Sequence, residues 1–239
     1  MNYKDLFEQA ANTLEKVGIP DAKLDARLLL EYVCGTDHSI LFAHPEREIS
    51  SDELERFNEL LKRRMGREPL AYILGSWDFM GLSFNVNRNV LIPEQDTEIL
   101  VEEALRFCED GMRILDLCTG SGCIALSLLN YTNETFAHGT DISKEALMVA
   151  QSNADKMGLS GRIEFEQTDL FPADKSKKYD ILVSNPPYIE SAVIDTLAPE
   201  VKDHEPRLAL DGDEDGLRFY RRIIDNIGEL LLSNGYIFF

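Results

Sequence analysis

Basic residues are the first shortage. The chain has 24 lysines and arginines against 43 aspartates and glutamates, a formal charge of −19 over 239 residues. A non-specific grip on nucleic acid relies on many cations facing phosphates. The balance therefore argues against direct nucleic-acid binding and favours a neutral or basic partner, such as a protein that itself binds RNA. Cysteine is also sparse: Cys34, Cys108, Cys118 and Cys123 are all there are. They form no C-x-x-C pair, and no histidine lies at metal-ligand spacing from them. A disulfide framework and a zinc site are excluded on that pattern, and buried free thiols with no metal are expected. Long apolar runs are absent too. Stretches such as Leu28–Leu30 and Ile181–Val183 fall far short of the ~20 residues that span a bilayer. The start, Met1-Asn2-Tyr3-Lys4-Asp5, lacks the apolar core of a signal peptide. A cytoplasmic protein with no membrane partner is expected.

What is present is ordinary for a globular chain, with 44% apolar and 28% charged residues. Residues 3–67 read as a small helical bundle. Leu6, Ala10, Leu14 and Val17 recur at helical spacing up to Gly18. Asp21 opens a second helix with Leu24, Leu28 and Val33 on one face, closed by Gly35. Ser50 with Glu53 predicts a capping box, followed by a stripe of Leu54, Phe57, Leu60, Leu61 and Met65. Residues 75–90 change period. Trp77 to Phe84 alternate large apolar with small or polar residues and predict a hairpin turning near Gly81. The expected layout is a helical domain over 1–74, a linking hairpin over 75–90 and a second domain over 91–239.

From Glu94 onward strands and helices alternate. Helices are expected at about 96–108, 123–129 and 143–157, and strands at 113–117, 135–140, 162–167 and 180–184. A last helix is marked by Leu217, Tyr220, Ile224, Ile227 and Leu231, and a last strand begins at Tyr236. Such alternation predicts an α/β domain with a mostly parallel sheet and helices on both faces.

Open parallel sheets bind ligands at the carboxyl ends of their strands. The first strand ends in Asp116-Leu117-Cys118-Thr119-Gly120-Ser121-Gly122. Gly120 and Gly122 allow close approach of a ligand and a sharp turn into a helix. The second strand ends in Asp141, about 20 residues on, where a carboxylate can hold both hydroxyls of a ribose. A dinucleotide site would want G-x-G-x-x-G with a pyrophosphate on the helix N-terminus, and here Ala125 stands at the third glycine. Asp116 would repel a pyrophosphate and suits the ammonium and sulfonium end of S-adenosylmethionine, so a methyl donor is favoured over NAD. Asp169 and Leu170 follow the third strand. Asp169 could accept from an adenine amino group, and Leu170 could pack on the ring.

The fourth strand runs into Asn185-Pro186-Pro187-Tyr188. Two prolines remove two backbone donors, so the turn presents carbonyl oxygens. Asn185 adds a side-chain acceptor and Tyr188 a flat aromatic face. A planar NH2 group conjugated to a carbonyl or ring matches: its two N–H groups could meet the Asn185 oxygen and the Pro186 carbonyl while Tyr188 stacks on it.

The proline turn and the glycine loop together resemble the amino-methyltransferases of the class I Rossmann-like fold, among them DNA adenine and some RNA methyltransferases. Further motifs narrow the resemblance. Glu68 to Gly75, Val90-Leu91-Ile92-Pro93 with Asp96-Thr97-Glu98, and Glu205-Pro206 before Ala209-Leu210 resemble the release-factor glutamine methyltransferases, also called HemK or PrmC. The match runs from the helical region to the end of the chain. It implies methyl transfer from S-adenosylmethionine, leaving S-adenosylhomocysteine, to the side-chain amide nitrogen of the glutamine in the GGQ motif of peptide-chain release factors. Cys118 to Gly122 would line the donor with Asp141 on its ribose and Leu170 by the adenine. Asn185 would lie between donor and substrate, Asn185 to Tyr188 would hold the amide, and the N-terminal domain would hold the release factor. Two departures stand out. Glu94-Gln95 replaces the family's Arg-Pro, and the family continues past the strand at Tyr236 with a final antiparallel pair, so a C-terminally truncated domain is expected. The rival readings are an adenine amino-methyltransferase acting on nucleic acid, and a non-catalytic S-adenosylmethionine-binding protein.

Overall fold

The structure is a computed structural model describing residues 1–239, and it divides into two units, Met1–Leu74 and Gly75–Phe239. In the first, Asn2 caps α1 (Tyr3–Lys16) by accepting from the Asp5 N–H at 2.8 Å. α1 buries Tyr3, Leu6, Ala10 and Leu14, and the chain leaves it through Gly18 at φ 77°. α2 (Ala22–Cys34) ends on Gly35 in the left-handed conformation. Its inward face is Ala22, Ala26, Leu29, Leu30 and Val33; of the expected face, Val33 is buried, Leu28 is half-buried and Leu24 is exposed. Asp25 shares the inward face and takes a 2.6 Å bond from Arg64 of α4, both side chains 7% exposed. α3 (His38–Ala43) is short. α4 (Ser51–Met65) starts on the expected capping box: the Ser50 N–H donates to Glu53 Oε2 at 2.8 Å and the Glu53 N–H to Ser50 Oγ at 3.3 Å. Phe57 and Leu61 of its stripe are buried, whereas Met65 is exposed. α5 (Leu70–Leu74) closes the unit.

In the second unit, β1 (Ser76–Phe79) and β2 (Leu82–Asn85) form the hairpin. α6 (Gln95–Leu105) follows, and then β3 (Arg113–Leu117), α7 (Cys123–Asn130), β4 (Phe136–Asp141), α8 (Lys144–Met157), β5 (Ile163–Gln167) and β6 (Tyr179–Ser184). Two short helices, α9 (Pro199–Lys202) and α10 (Arg207–Leu210), lead to α11 (Arg218–Asn226) and β7 (Leu231–Phe238). The sheet order is β5-β4-β3-β6-β7, parallel throughout. Alternate residues of β3 feed two cores. Ile114 packs with Ile181, Val183 and residues of α6 and α7, while Leu115 and Leu117 pack with Leu182, Ile223 and Leu230. That two-sided burial is why the central strands read as continuous apolar runs. The chain moves outward from β3 to β4 and β5, then returns to β6 on the other side, so β3 and β6 flank the switch in strand order.

The last helix differs from expectation. α11 stops at Asn226, a 3-10 turn covers Ile227–Glu229, and Leu231 begins β7 opposite Tyr179. Its buried residue is Ile223, with Ile224 and Leu217 exposed. Leu231 leaves the helical stripe because it pairs in the sheet, and Leu230 before it is buried in the core beside Leu182 and Ile223.

Candidate functional site

The carboxyl ends of β3, β4 and β6 open into a cavity of ≈ 250 Å³ lined by the glycine loop, Asp141, Leu170 and the proline turn. The glycine loop is held from below. Asp116 is fully buried and accepts from Thr119 Oγ1 at 2.6 Å and from the Ala125 N–H at 3.3 Å. Burial pushes its carboxyl up to about 7, and its Oδ1 has no partner. Asp116 thus already occupies the first turn of α7, the place a pyrophosphate would need, and it lies beneath the loop, outside the cavity lining.

Asp141 braces the loop from the side. Its Oδ2 accepts from the Gly120 N–H and its Oδ1 from the Ser143 N–H, both at 2.9 Å. Its carboxyl is shifted upward by burial, opposed by those backbone bonds. Each oxygen keeps a lone pair for a hydroxyl donor. Asn153 holds the far end: fully buried, it donates to the Ser121 carbonyl at 2.9 Å and to the Asn85 carbonyl at 3.1 Å, and accepts from the Asn85 N–H at 2.7 Å. A side chain at Gly139 would meet the Phe165 ring at 2.8 Å and Thr119 Oγ1 at 3.1 Å. Cys118 and Leu170 both hold positive φ, 59° and 73°, conformations that cost a side-chain-bearing residue roughly 1–2 kcal/mol. Burial raises both loop thiols, that of Cys123 to about 12, so neither is a nucleophile.

The proline turn is held differently. Ser184 Oγ donates to the Leu117 carbonyl at 2.7 Å, tying the end of β6 to the end of β3. Pro186 and Pro187 are buried and Tyr188 is 49% exposed. The segment after the turn runs beside the loop 211–216. The Ile189 N–H donates to Leu210 O, the Gly212 N–H to Ile189 O, and the Ser191 N–H to Asp213 O. The loop comes so close that a Cβ on Gly216, at φ +71°, would lie 2.2 Å from the Tyr188 carbonyl oxygen, and one on Gly212 would lie 2.8 Å from Tyr188 Cα. Asn185 Nδ2 donates to Thr97 Oγ1 at 3.1 Å.

Of the residues singled out in the sequence, Cys118, Thr119, Gly120, Ser121, Asp141, Asp169, Leu170, Asn185 and Pro187 line one cavity. Gly122, Pro186 and Tyr188 flank it along the chain. Asp169 already pairs with Arg222 of α11 at 3.0 Å. Thr97 of the Asp96-Thr97-Glu98 motif, to which no site role was given, also lines it, and so do Phe219, Arg222 and Leu208, which no motif marked. Glu94 lines it as well, its carboxyl raised by burial and by Asp96. Nearby, burial pushes Glu205, which accepts from the Ile92 N–H at 3.3 Å, to about 7. No group of histidine, cysteine or carboxylates is arranged to hold a metal, and no helix is long and apolar enough to cross a membrane.

A five-stranded parallel sheet, a glycine loop after its first strand, a carboxylate after its second and a proline turn after its fourth define a methyltransferase of the class I fold. The catalytic domain of hMettl16, solved in complex with the MAT2A 3'UTR hairpin 6, shares that fold at TM-score 0.50 and 18% identity, over 76% of this chain and 66% of that one. Residues 5–75 match the PrmC N-terminal domain, and residues 94–208 match the methyltransferase small domain. The release factor glutamine methyltransferase of Geobacter sulfurreducens is 40% identical over 94% of this chain and 78% of its own length. That of Clostridium acetobutylicum is 39% identical over 99% and 85%. The chain belongs to the release factor glutamine methyltransferase family.

Proposed function

We propose that this protein transfers a methyl group from S-adenosylmethionine to the side-chain amide nitrogen of the glutamine in the GGQ motif of peptide-chain release factors, in the cytoplasm. The observation that carries the chemistry is the free acceptor pair of the proline turn. Asn185 Nδ2 is tied to Thr97, while Asn185 Oδ1 and the Pro186 carbonyl accept no bond from the protein. Membership of the family, shared along nearly the whole chain, supports the target.

S-adenosylmethionine supplies an electrophilic methyl on a sulfonium and leaves as S-adenosylhomocysteine. Asp141 suits the ribose hydroxyls, Cys118 to Gly122 the chain beside them, and Leu170 with the second oxygen of Asp169 the adenine. Asp116 acts from beneath the loop, shaping it through its bonds to Thr119 Oγ1 and the Ala125 N–H. An amide nitrogen is a poor nucleophile because its lone pair is delocalised. Asn185 Oδ1 and the Pro186 carbonyl would accept hydrogen bonds from both N–H groups, aim the nitrogen and stabilise the charge that builds on it, and one proton then leaves the methylated nitrogen to water. The Tyr188 ring would cover its plane. Orientation of this kind supplies up to roughly 7–11 kcal/mol, and fixed acceptors add electrostatic stabilisation. The helical unit, Met1–Leu74, is assigned to holding the release factor.

Methyl-labelled donor incubated with a bacterial release factor, or with DNA and RNA, tests the reading. Label should enter the release factor and vanish when its GGQ glutamine is replaced. Label on nucleic acid alone would establish the adenine reading instead.

A further inference from the structure

The Asp96-Thr97-Glu98 segment has no role yet in methyl transfer, although it opens α6 beside the proline turn. Thr97 is 8% exposed, lines the same cavity as Asn185, and is held by its own N–H, which donates to the Glu94 carbonyl at 3.1 Å. Glu98, one residue on, accepts from the Met80 N–H at 2.5 Å and anchors the helix start to the β1–β2 hairpin. A threonine has few χ1 choices in a helix, so this anchoring places the hydroxyl within narrow limits. The hydroxyl accepts from Asn185 Nδ2 at 3.1 Å.

A carboxamide is nearly symmetric in shape and strongly asymmetric in charge. A half-turn about χ2 exchanges its acceptor oxygen and its donor NH2, and torsions of this type are soft. In the turned state Asn185 would present N–H groups to the substrate's own NH2, donor against donor, and the bond that aims the nucleophile would be lost. A hydroxyl both donates and accepts, so Thr97 fixes the position and plane of the amide, and the substrate NH2, which needs an acceptor, selects the state with Oδ1 forward and Nδ2 on the Thr97 hydroxyl as observed. Resting on the reading of Asn185 above, we propose that Thr97 is a positioning residue for methyl transfer, its hydroxyl holding the Asn185 amide with Oδ1 toward the substrate NH2.

Thr97→Val keeps the shape and removes the acceptor, and Thr97→Ser keeps the acceptor and removes a methyl. Both are compared with the parent in steady-state transfer from labelled donor to a full-length release factor. Donor affinity is read by calorimetry and folding by melting temperature. T97V should lose roughly 10- to 100-fold in kcat with little change in donor affinity or melting temperature, and T97S should recover most of the rate. A T97V enzyme with the parental kcat overturns the proposal. So does a T97S enzyme as slow as T97V, because the methyl rather than the hydroxyl would then matter. The parent separates this failure from that of the assigned reaction. An active parent beside a fully active T97V removes only the role of Thr97, whereas an inert parent removes the assigned substrate and this role with it.

Discussion

The glycine loop and the proline turn face one cavity but are immobilised by opposite means. Side chains reaching from the surrounding elements hold the loop: Asp116 from below, Asp141 from the side and Asn153 from α8. Backbone packed on backbone holds the turn, where missing side chains at Gly212 and Gly216 let the 211–216 loop lie against Tyr188. The difference follows from what each must present. The N–H groups of the loop are used within the protein, that of Gly120 on the Asp141 carboxylate and those of Thr119 and Gly122 on the Thr140 and Thr119 carbonyls, which fixes the loop around shaped space for a ligand. The turn has to keep its acceptors unused, and a side-chain brace bringing donors would have consumed them. Asn185 is the exception, with one end of its amide braced and the other free.

That contrast can be broken at either end. The largest effect is expected from Gly216→Ala. Its methyl would meet backbone rather than a yielding side chain, so the turn must move, and misplacement on that scale costs about 100-fold or more in kcat/KM for the protein substrate. Donor affinity should stay near the parental value, since the loop has its own supports. Gly158→Ala is the control: φ is similar at +70° but the site is open, so it should cost roughly 1 kcal/mol of stability and leave the kinetics alone. Asp141→Asn attacks the other end. Charged hydrogen bonds of ~1.5–3 kcal/mol are weakened, so donor affinity should fall roughly 10- to 100-fold while kcat at saturating donor is largely kept. The Asp141 carboxyl is raised by burial, and hydroxyl donors favour its ionised form. Donor affinity should therefore weaken as pH falls through its raised range, and D141N should lose that dependence.

Asp116 sharpens the comparison through stability. Its folded pKa of about 7 lies above the unfolded value near 3.8, so between those limits the folded state holds the extra proton. Stability from this group falls as pH rises from about 4 to about 7, by at most ~1.4 kcal/mol per unit. Above that range both states are ionised and the cost stays constant. Asp116→Asn should flatten this part of the urea-denaturation profile measured against pH, with Glu205, also near 7, retaining its own share. An unchanged slope would mean that Asp116 does not carry the proton. The smallest effect is expected from Tyr188→Phe. The ring stays and only a half-exposed hydroxyl is lost, so kcat/KM should change by less than about threefold, under ~1 kcal/mol. A Tyr188→Phe enzyme as impaired as Gly216→Ala would shift the turn's role from packing to its hydroxyl.

The central strands were legible because both faces are buried. β3 at Arg113–Leu117 is a short apolar run ending at a carboxylate and glycines, a pattern that marks a strand turning into a helix. α8 was legible from its cap, Ser143 accepting from the Ala146 N–H at 3.1 Å. α11 was not. Its residues alternate large apolar and arginine closely enough that Ile223 and Ile224 compete for the inward face, and only packing against Leu230 decides. The site divides the same way. Its contiguous motifs could be read along the chain, but the partners that hold them lie far off: Thr97 is 88 residues from Asn185, Asn153 is 68 from Asn85, and Arg222 is 53 from Asp169. Nothing in the local pattern marks such pairs. Asp116 shows the converse. Its type and place were plain in the sequence, yet its burial beneath the loop, with the first turn of α7 in its grip, emerges only from the three-dimensional arrangement.

The central claim is that the proline turn, through Asn185, performs the transfer, while the glycine loop binds the donor independently. Asn185→Ala measured in one preparation for both properties tests it most directly. Methyl transfer to the release factor should fall to background while the donor dissociation constant stays within about 10-fold of the parent's, about 1.4 kcal/mol. Transfer at the parental rate in Asn185→Ala would contradict the account.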